Sequence, residues 1–391
     1  MKIVSRLAIP LYVFGIVALF LYSYTQVDLS LTLSRLSIWQ VVEKAFQYIG
    51  YFQRPLSTGI FLFILLILSF TYVCFLVLFW EKKLSQKTLW LLIFFTAILL
   101  TFSYNAFSYD LFNYIFDAKI ITHYFQNPYL HRALDFPHDP MLSFMHWTQR
   151  TYPYGPVWLL VTVPLSFLGS QIFLLTFFLF KALAAVGYLI TCWTIEKILQ
   201  KTDPEKQSFG LAFFALSPFV LYEGLVSAHN DMTMVMFASL SVYLLLYKKS
   251  VWSFFMLILS IGVKFATAVL LPFWIFWLYF KKRDPKMEKL FLISFVALIV
   301  PVVAATIRTN FQPWYALFLF PFPALMPRRL EILTMYEVFT CVSLLQYVPF
   351  LYTGNWNPPI PAILVAMLWG GLVVSLLLGG AVWFFRVAKK Q

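Results

Sequence analysis

Residues 108–120, SYDLFNYIFDAKI, concentrate groups that can take up protons and hold hydroxyls. Asp110, Asn113, Tyr114 and Asp117 follow at i, i+3, i+4 and i+7, so on a helix they share one face. Two carboxylates, an amide and a phenol side by side offer a base together with several donors and acceptors. Phe112, Phe116 and Ile120 fall on another face, which suits the interfacial zone of a bilayer. Taken alone, the pattern fits an amphipathic helix with a solvated polar side just as well.

Other polar groups recur at a few points. The stretch after residue 108 also carries Asp135 and Asp139 against Lys119, Arg132 and Arg150, with four of the five histidines. Those histidines, His123, His131, His138 and His146, are spaced 8, 7 and 8 apart, which is not the spacing of a helical metal-ligand pair. VSAHND at 226–231 presents His229, Asn230 and Asp231, with Glu223 just before it. Asn and Asp there also suit a turn with a helix cap. IRTNFQPWY at 307–315 supplies Arg308, Gln312, Trp314 and Tyr315, of which the two aromatics also suit an interfacial belt. Lys181, inside an apolar run, is expected to snorkel toward an interface. Lys264 interrupts another apolar run at GVK, where an ammonium is costly unless it meets an anion.

The elements that must position these groups follow from composition. The chain has 391 residues, of which 61% are hydrophobic, 20% aromatic and 12% charged. A soluble domain carries roughly twice that charged share, so this reads as an all-α polytopic membrane protein. Cys74, Cys192 and Cys341 sit in apolar runs without pairing or metal spacing. The first apolar segment lacks a small-residue cleavage site and is expected to stay as an anchor.

At about 20 apolar residues per span, the expected spans are 7–27, 58–80, 88–107, 171–195, 208–226, 232–247, 289–308, 332–351 and 361–385. Residues 251–280 are too long for one span and 313–326 form a short, proline-rich one. Most of the 29 Lys and Arg residues fall in groups between these segments. The groups are Lys2 and Arg6; Lys82, Lys83 and Lys87; Lys197, Lys201 and Lys206; and Lys248 and Lys249. They continue at Lys281, Lys282, Arg283, Lys286 and Lys289, then Arg328 and Arg329, then Arg386, Lys389 and Lys390. Placing them all in the cytoplasm puts both termini inside. The net charge of +13 then reports topology and contact with anionic membrane lipids rather than nucleic acid. Under this orientation 251–280 is a hairpin of two short helices with Lys264 near its outer tip. Residues 155–169 then form a second interfacial helix closing a long outer loop, 108–170. The count is about 12 membrane helices in one integral membrane domain, 1–391, and the polar groups above share the outer face.

The ordered motifs resemble the GT-C membrane glycosyltransferases, and among them the polyprenol-phosphate-mannose-dependent mannosyltransferases. DLFNYIFDAKI is followed by NPY at 127–129 and YPYGP at 152–156; then come SPFVLYEGLVSAHNDM at 217–232, LSIGVKFATAVLLP at 259–272 and QPWYALFLFP at 312–321. The resemblance covers 88–326, between an N-terminal helix pair (1–80) and a C-terminal one (331–391). Ala118 stands after Asp117 where a glycine is common in the family.

This resemblance implies an inverting hexosyltransferase, mannose favoured, moving sugar from a polyprenyl-phosphate-sugar to a glycan or glycolipid acceptor outside the cytoplasm. The chemistry requires a base for the acceptor hydroxyl, stabilisation of the leaving phosphate and exclusion of water. Asp110, at a helix start, is the expected base. Lys264 is the first expectation for the phosphate and Arg308 the second, as a bidentate fork. Asn113, Asp117, Tyr152, Tyr154, His229, Asn230, Asp231, Gln312, Trp314 and Tyr315 are expected to hold sugar or acceptor. No metal site or cofactor is assigned, since an Asp-x-Asp pair is missing, although the chemistry leaves room for one divalent cation at Asp110. The competing class is a transporter or lipid flippase, which would place ionisable groups at mid-membrane and show an internal repeat. No repeat is evident here. A non-catalytic assembly partner is the third reading, against which the intact Asp110 argues.

Overall fold

The computed structural model describes residues 2–279 and 287–389. Lys281, Lys282, Arg283, Lys286 and Lys390 of the basic pattern, and the end of the 251–280 segment, lie outside the described residues. Apart from one antiparallel bridge between Arg132 and Thr151, regular structure among the described residues is helical. The chain opens with α1 (Lys2–Ser23), α2 (Ser37–Gln47), α3 (Arg54–Trp80) and α4 (Gln86–Thr101). Two helices, α5 (Asp110–Thr122) and α6 (Pro156–Leu168), lie in the 108–170 segment. Then come α7 (Phe173–Thr202), α8 (Gln207–Ala215), a π-helical turn over Val220–Val226 and α9 (Asp231–Leu246). The 3-10 segment Phe265–Leu270 separates α10 (Ser250–Val263) from α11 (Leu271–Tyr279). After α12 (Met287–Thr309) the 3-10 segment Pro313–Leu319 leads to α13 (Pro321–Ala324), α14 (Leu330–Leu345), α15 (Tyr347–Thr353) and α16 (Ile360–Ala388).

Six stretches are long and apolar enough to cross a membrane: Leu7–Gln26, α3, α7, α12, Leu330–Thr353 and α16. A seventh arises if Pro204–Ala215 and Val220–Val226, bent by 61°, cross as one broken span. The protein is therefore polytopic. The larger sequence count includes α4 and α9, of 16 residues each, and α10, of 14, all shorter than a standard span. The bend after α8 has a local cause, because Pro218 has no N–H to donate and disfavours helix in the residue before it. The open carbonyls at the far end of the π-helical turn are met from α7. Lys181, 1% exposed, donates to the carbonyls of Leu225 and of Val226 (2.7 Å) and to Ser103 Oγ (3.1 Å). It does not snorkel; its ammonium is consumed by backbone acceptors.

The other correction concerns α5. Phe112, Phe116 and Ile120 do not rest in a bilayer interface, for all three are at most 1% exposed. Phe112 packs on Phe144, Phe173 and Phe177, with ring centroids 5.1, 6.1 and 6.3 Å away. Segment 123–151 folds over the helix and is pinned there by Asp139, which takes Lys119 (2.5 Å) and the Tyr124 hydroxyl (2.7 Å). Each fully buried Phe contributes about 1.5–3 kcal/mol in an aqueous reference, so this apolar side serves as the core of the 108–170 segment. Helix α2 lies in a stretch to which the sequence reading assigned no element. It turns Glu43 and Gln47 inward and leaves Ile38, Val41 and Val42 exposed.

Candidate active site

Helix α5 starts on a fixed turn: Asn105 Nδ2 donates to the Ser108 carbonyl (2.8 Å), and the Asp110 N–H donates to Ser108 Oγ (3.1 Å). Tyr109 stacks on His146 at 3.8 Å and donates its hydroxyl to Asp28 (3.1 Å). Asp110 is thereby the first residue of its helix, where the dipole favours a carboxylate. Its side chain is only 11% exposed. Burial raises its pKa above the ordinary carboxylate range, while Arg150 and Lys264 pull it down and Asp231 pushes it up. One helical stretch along, desolvation pushes Asp117 up to about 7, opposed by Arg150 and assisted by Asp110.

The link between the π-helical turn and α9 brings three polar residues to this helix. Ala228 there has φ +53°, a left-handed conformation that non-glycine residues seldom adopt. His229 is fully buried and stacks on Trp314 with centroids 4.3 Å apart. Its Nδ1 faces Asp110 Oδ2 at 3.6 Å and its Nε2 faces Glu223 Oε2 at 3.4 Å. Asn230 Oδ1 accepts from the Tyr114 hydroxyl at 3.4 Å. Asp231, buried at the head of α9, holds Lys264 Nζ at 2.8 and 3.0 Å. The costly ammonium of the sequence reading thus has an anion inside the chain, and it also lies 5.7 Å from the Tyr315 ring centre.

Several of the sequence motifs meet in space. The Tyr152 N–H donates to the Pro128 carbonyl (3.0 Å), and the Tyr129 hydroxyl to the Tyr154 carbonyl (3.3 Å), so NPY and YPYGP form one unit. That unit docks on the hairpin where the Gly155 N–H donates to the Val263 carbonyl at 3.2 Å. A Cβ on Gly155 would stand 2.2 Å from the Gly262 carbonyl oxygen, and one on Gly262 would stand 2.4 Å from Val157 Cγ2, which explains glycine at both surfaces. Arg150 donates to the Tyr154 hydroxyl at 3.4 Å, and the Tyr154 ring lies against Tyr114 (5.4 Å).

Among the expected site residues, Asp110, Tyr154, His229, Asn230, Asp231, Lys264, Trp314 and Tyr315 therefore form one connected group. Asn113 donates instead to the His146 carbonyl (2.8 Å), leaving its buried Oδ1 without a partner. The Tyr152 hydroxyl is spent on the Gly155 carbonyl (2.8 Å). Gln312 caps the 313–319 segment, its carbonyl taking the Tyr315 N–H (3.0 Å). Arg308 is exposed in the last turn of α12 and makes no ion pair among the described residues. The sequence reading gave no site role to Arg150, to Glu223 or to Tyr347, whose hydroxyl donates to Glu223 Oε1 at 2.8 Å. An ionisable residue within an apolar span was the available signal for Glu223; Tyr347 gave none. No group of three or more His, Cys, Asp or Glu side chains able to hold a metal occurs among the described residues. A separate cavity of about 460 Å³ lies among Lys201, Asp203, Glu288, Arg328 and Arg329, away from Asp110.

Residues 12–280 match the family described as alpha-(1->6)-mannopyranosyltransferase, N-terminal domain. The chain is also 24% identical over 194 residues to alpha-(1->6)-mannopyranosyltransferase A of Corynebacterium glutamicum. That match spans 49% of this chain and 38% of the relative. No solved structure matches.

Proposed function

The chain belongs to the alpha-(1->6)-mannopyranosyltransferase family, and from that premise we propose that it moves mannose from a polyprenyl-phosphate-mannose to a glycan or glycolipid acceptor. The reaction takes place on the outer face of the membrane, with both termini inside and about 12 helices counting the short ones. The helices up to residue 80 and after 331 flank the catalytic core. Nucleotide sugars are confined to the cytoplasm, so an outward-facing enzyme draws on a lipid carrier. The observation that carries this reading is the near-buried Asp110 at a helix start, with the cations Arg150 and Lys264 bearing on it and His229 facing it at 3.6 Å.

In the proposed step the acceptor hydroxyl attacks the anomeric carbon opposite the phosphate. The new C–O bond forms as the bond to phosphate oxygen breaks, the phosphate leaves with the electron pair and the proton passes to Asp110 Oδ. In-line attack inverts the anomeric centre, by the geometry of inverting glycoside chemistry. Lys264 holds the leaving phosphate while remaining in reach of Asp231, and Arg150 joins it in place of the fork first expected of Arg308, which is exposed at the end of α12. Tyr154, Trp314 and Tyr315 wall the sugar, and Asn230 and Asp117 hold hydroxyls.

Asp110→Asn keeps shape and hydrogen-bonding reach but removes basicity. Turnover of polyprenyl-phosphate-[14C]mannose falls by about 10²–10⁴ with donor affinity nearly unchanged. Asp117→Asn fixes the neutral form of a group pushed up to about 7. It therefore resembles wild type at pH 6 and departs from it above pH 7, through the acceptor KM. Near-normal turnover in Asp110→Asn with a dead Asp117→Asn reverses the two assignments; normal turnover in both removes the site from this helix.

A further inference from the structure

Four side chains from four separate parts of the fold stand in a buried row: Asp110, His229, Glu223 and Tyr347. The row spans α5, the 227–230 link, the π-helical turn and α15. Glu223 and His229 are both 0% exposed, and the gaps between neighbours are 3.6, 3.4 and 2.8 Å. Both nitrogens of His229 and Glu223 Oε2 lack any other hydrogen-bond partner, and they face along the row. An unsatisfied buried polar atom is costly, yet here Nε2 meets Glu223 Oε2 and Nδ1 meets Asp110 Oδ2, each within a fraction of an ångström of bonding distance. Such contacts are commonly long before substrate binds. One proton in each gap closes it; two lone pairs or two protons in a gap repel.

We propose that this row is a one-way chain of donors that ends on Asp110, with Glu223 and His229 as positioning residues for the base. The inference rests on Asp110 being the base of the transfer. With Asp110 ionised, the gap beside it must hold the Nδ1–H of His229. The second proton then sits between Nε2 and Glu223 Oε2. Burial disfavours the imidazolium, and Lys264 adds to that, holding His229 well below the usual histidine range. Nε2 therefore offers a lone pair and Glu223 carries the proton, while the Tyr347 hydroxyl donates to the other oxygen of Glu223. The tautomer logic is that of a base oriented by a third group. A donor held on Asp110 stabilises its charged form, countering the burial that raises its pKa. The other groups facing Asp110 are Arg150 and Tyr154 from the 108–170 segment, Lys264 from the hairpin, Asp231 at the head of α9, and Tyr114 and Asp117 on its own helix. None of these donates to Asp110 in the structure.

Two measurements on the full chain in proteoliposomes test this. With polyprenyl-phosphate-[14C]mannose and a synthetic α-mannoside, Glu223→Leu lowers kcat at least about tenfold and moves the acidic limb of the pH profile up by about one unit, leaving donor KM unchanged. His229→Phe, which keeps the ring stack on Trp314 but not the donor, moves the limb in the same direction. Glu223→Gln, whose amide still donates to Nε2, recovers most of the loss. An unmoved limb in Glu223→Leu, or a Glu223→Gln as impaired as the leucine variant, overturns the proposal. Nitrogen-15 spectra of labelled histidine in wild-type protein, assigned by loss of signal in His229→Phe, should show a neutral ring protonated at Nδ1. An imidazolium or an Nε2–H tautomer overturns it too, and this readout stands whether or not Glu223→Leu folds. Asp110→Asn separates the two failures: if it turns over normally the base assignment falls, while the tautomer still reports on the row.

Discussion

At the scale of single residues, the ion pair between Lys264 and Asp231 joins the hairpin to the head of α9. Lys264 was legible because an ammonium in an apolar run needs an anion, yet nothing in the spacing names Asp231, 33 residues earlier, as that anion. Asp231 is fully buried and the Lys264 side chain 22% exposed. Removing one partner of such a pair leaves the other uncompensated, a loss toward the lower end of ~3–5 kcal/mol given the partial exposure of the lysine. Lys264→Met should therefore lower the thermal midpoint in detergent and weaken binding of a polyprenyl phosphate. Adding Asp231→Asn should recover stability but not lipid binding. If the double variant binds polyprenyl phosphate normally, the phosphate is held elsewhere and Arg150 leads. His229 shows the same limit: its residue type and its neighbours Asn230 and Asp231 were readable, but its place between two carboxylates depends on long-range packing.

At the scale of elements, the lengths of the apolar runs gave most helix boundaries to within a few residues, and the misreadings share a cause. Helix α5 carries an apolar face that a sequence assigns to lipid or to protein with equal ease; only the fold of 123–151 over it decides. Helix α2 escaped notice because its 11 residues are too few and too polar for a span, and the reading followed apolar runs of about 20 residues. The contact between Gly155 and Gly262 was equally silent, since the two lie in separate motifs. Its consequence can be measured. Gly155→Ala places a methyl within 2.2 Å of a backbone oxygen, which cannot rotate away. The 152–156 turn must lift from the hairpin, at a cost of about 1–3 kcal/mol as for other overpacked sites. Donor turnover should fall with it, because Tyr154 and Lys264 sit on the two surfaces being parted. Alanine at Gly59, which faces open space, is the control and should behave as wild type. Equal stability and turnover in both variants would mean that the docking of this turn is dispensable.

At the scale of the whole molecule, composition alone identified a polytopic membrane protein, whereas the number of crossings depends on how elements of 13–16 residues are counted. Topology is the accessible test. In a protein freed of Cys74, Cys192 and Cys341, single cysteines at the exposed positions Ser30, His138 and Asn355 should react with an impermeant reagent in intact cells. Cysteines replacing the exposed Lys87, Glu205 and Lys389 should not. Reaction at Glu205→Cys from outside would mean that α6 crosses and that the 108–170 segment is not one outer loop. The bond from Lys181 to the carbonyls of Leu225 and Val226 also bears on how this protein enters its bilayer. A lysine at the centre of a span costs about 2.5–3.5 kcal/mol at insertion, and its acceptors leave the ribosome some 44 residues later. Until they arrive, α7 is a poor passenger, best retained at the insertion machinery or beside α4, whose neighbouring Ser103 supplies the one early acceptor. Val220–Val226 and the lysine that meets its last carbonyls should therefore integrate together, which ties the geometry around His229 to the order of synthesis.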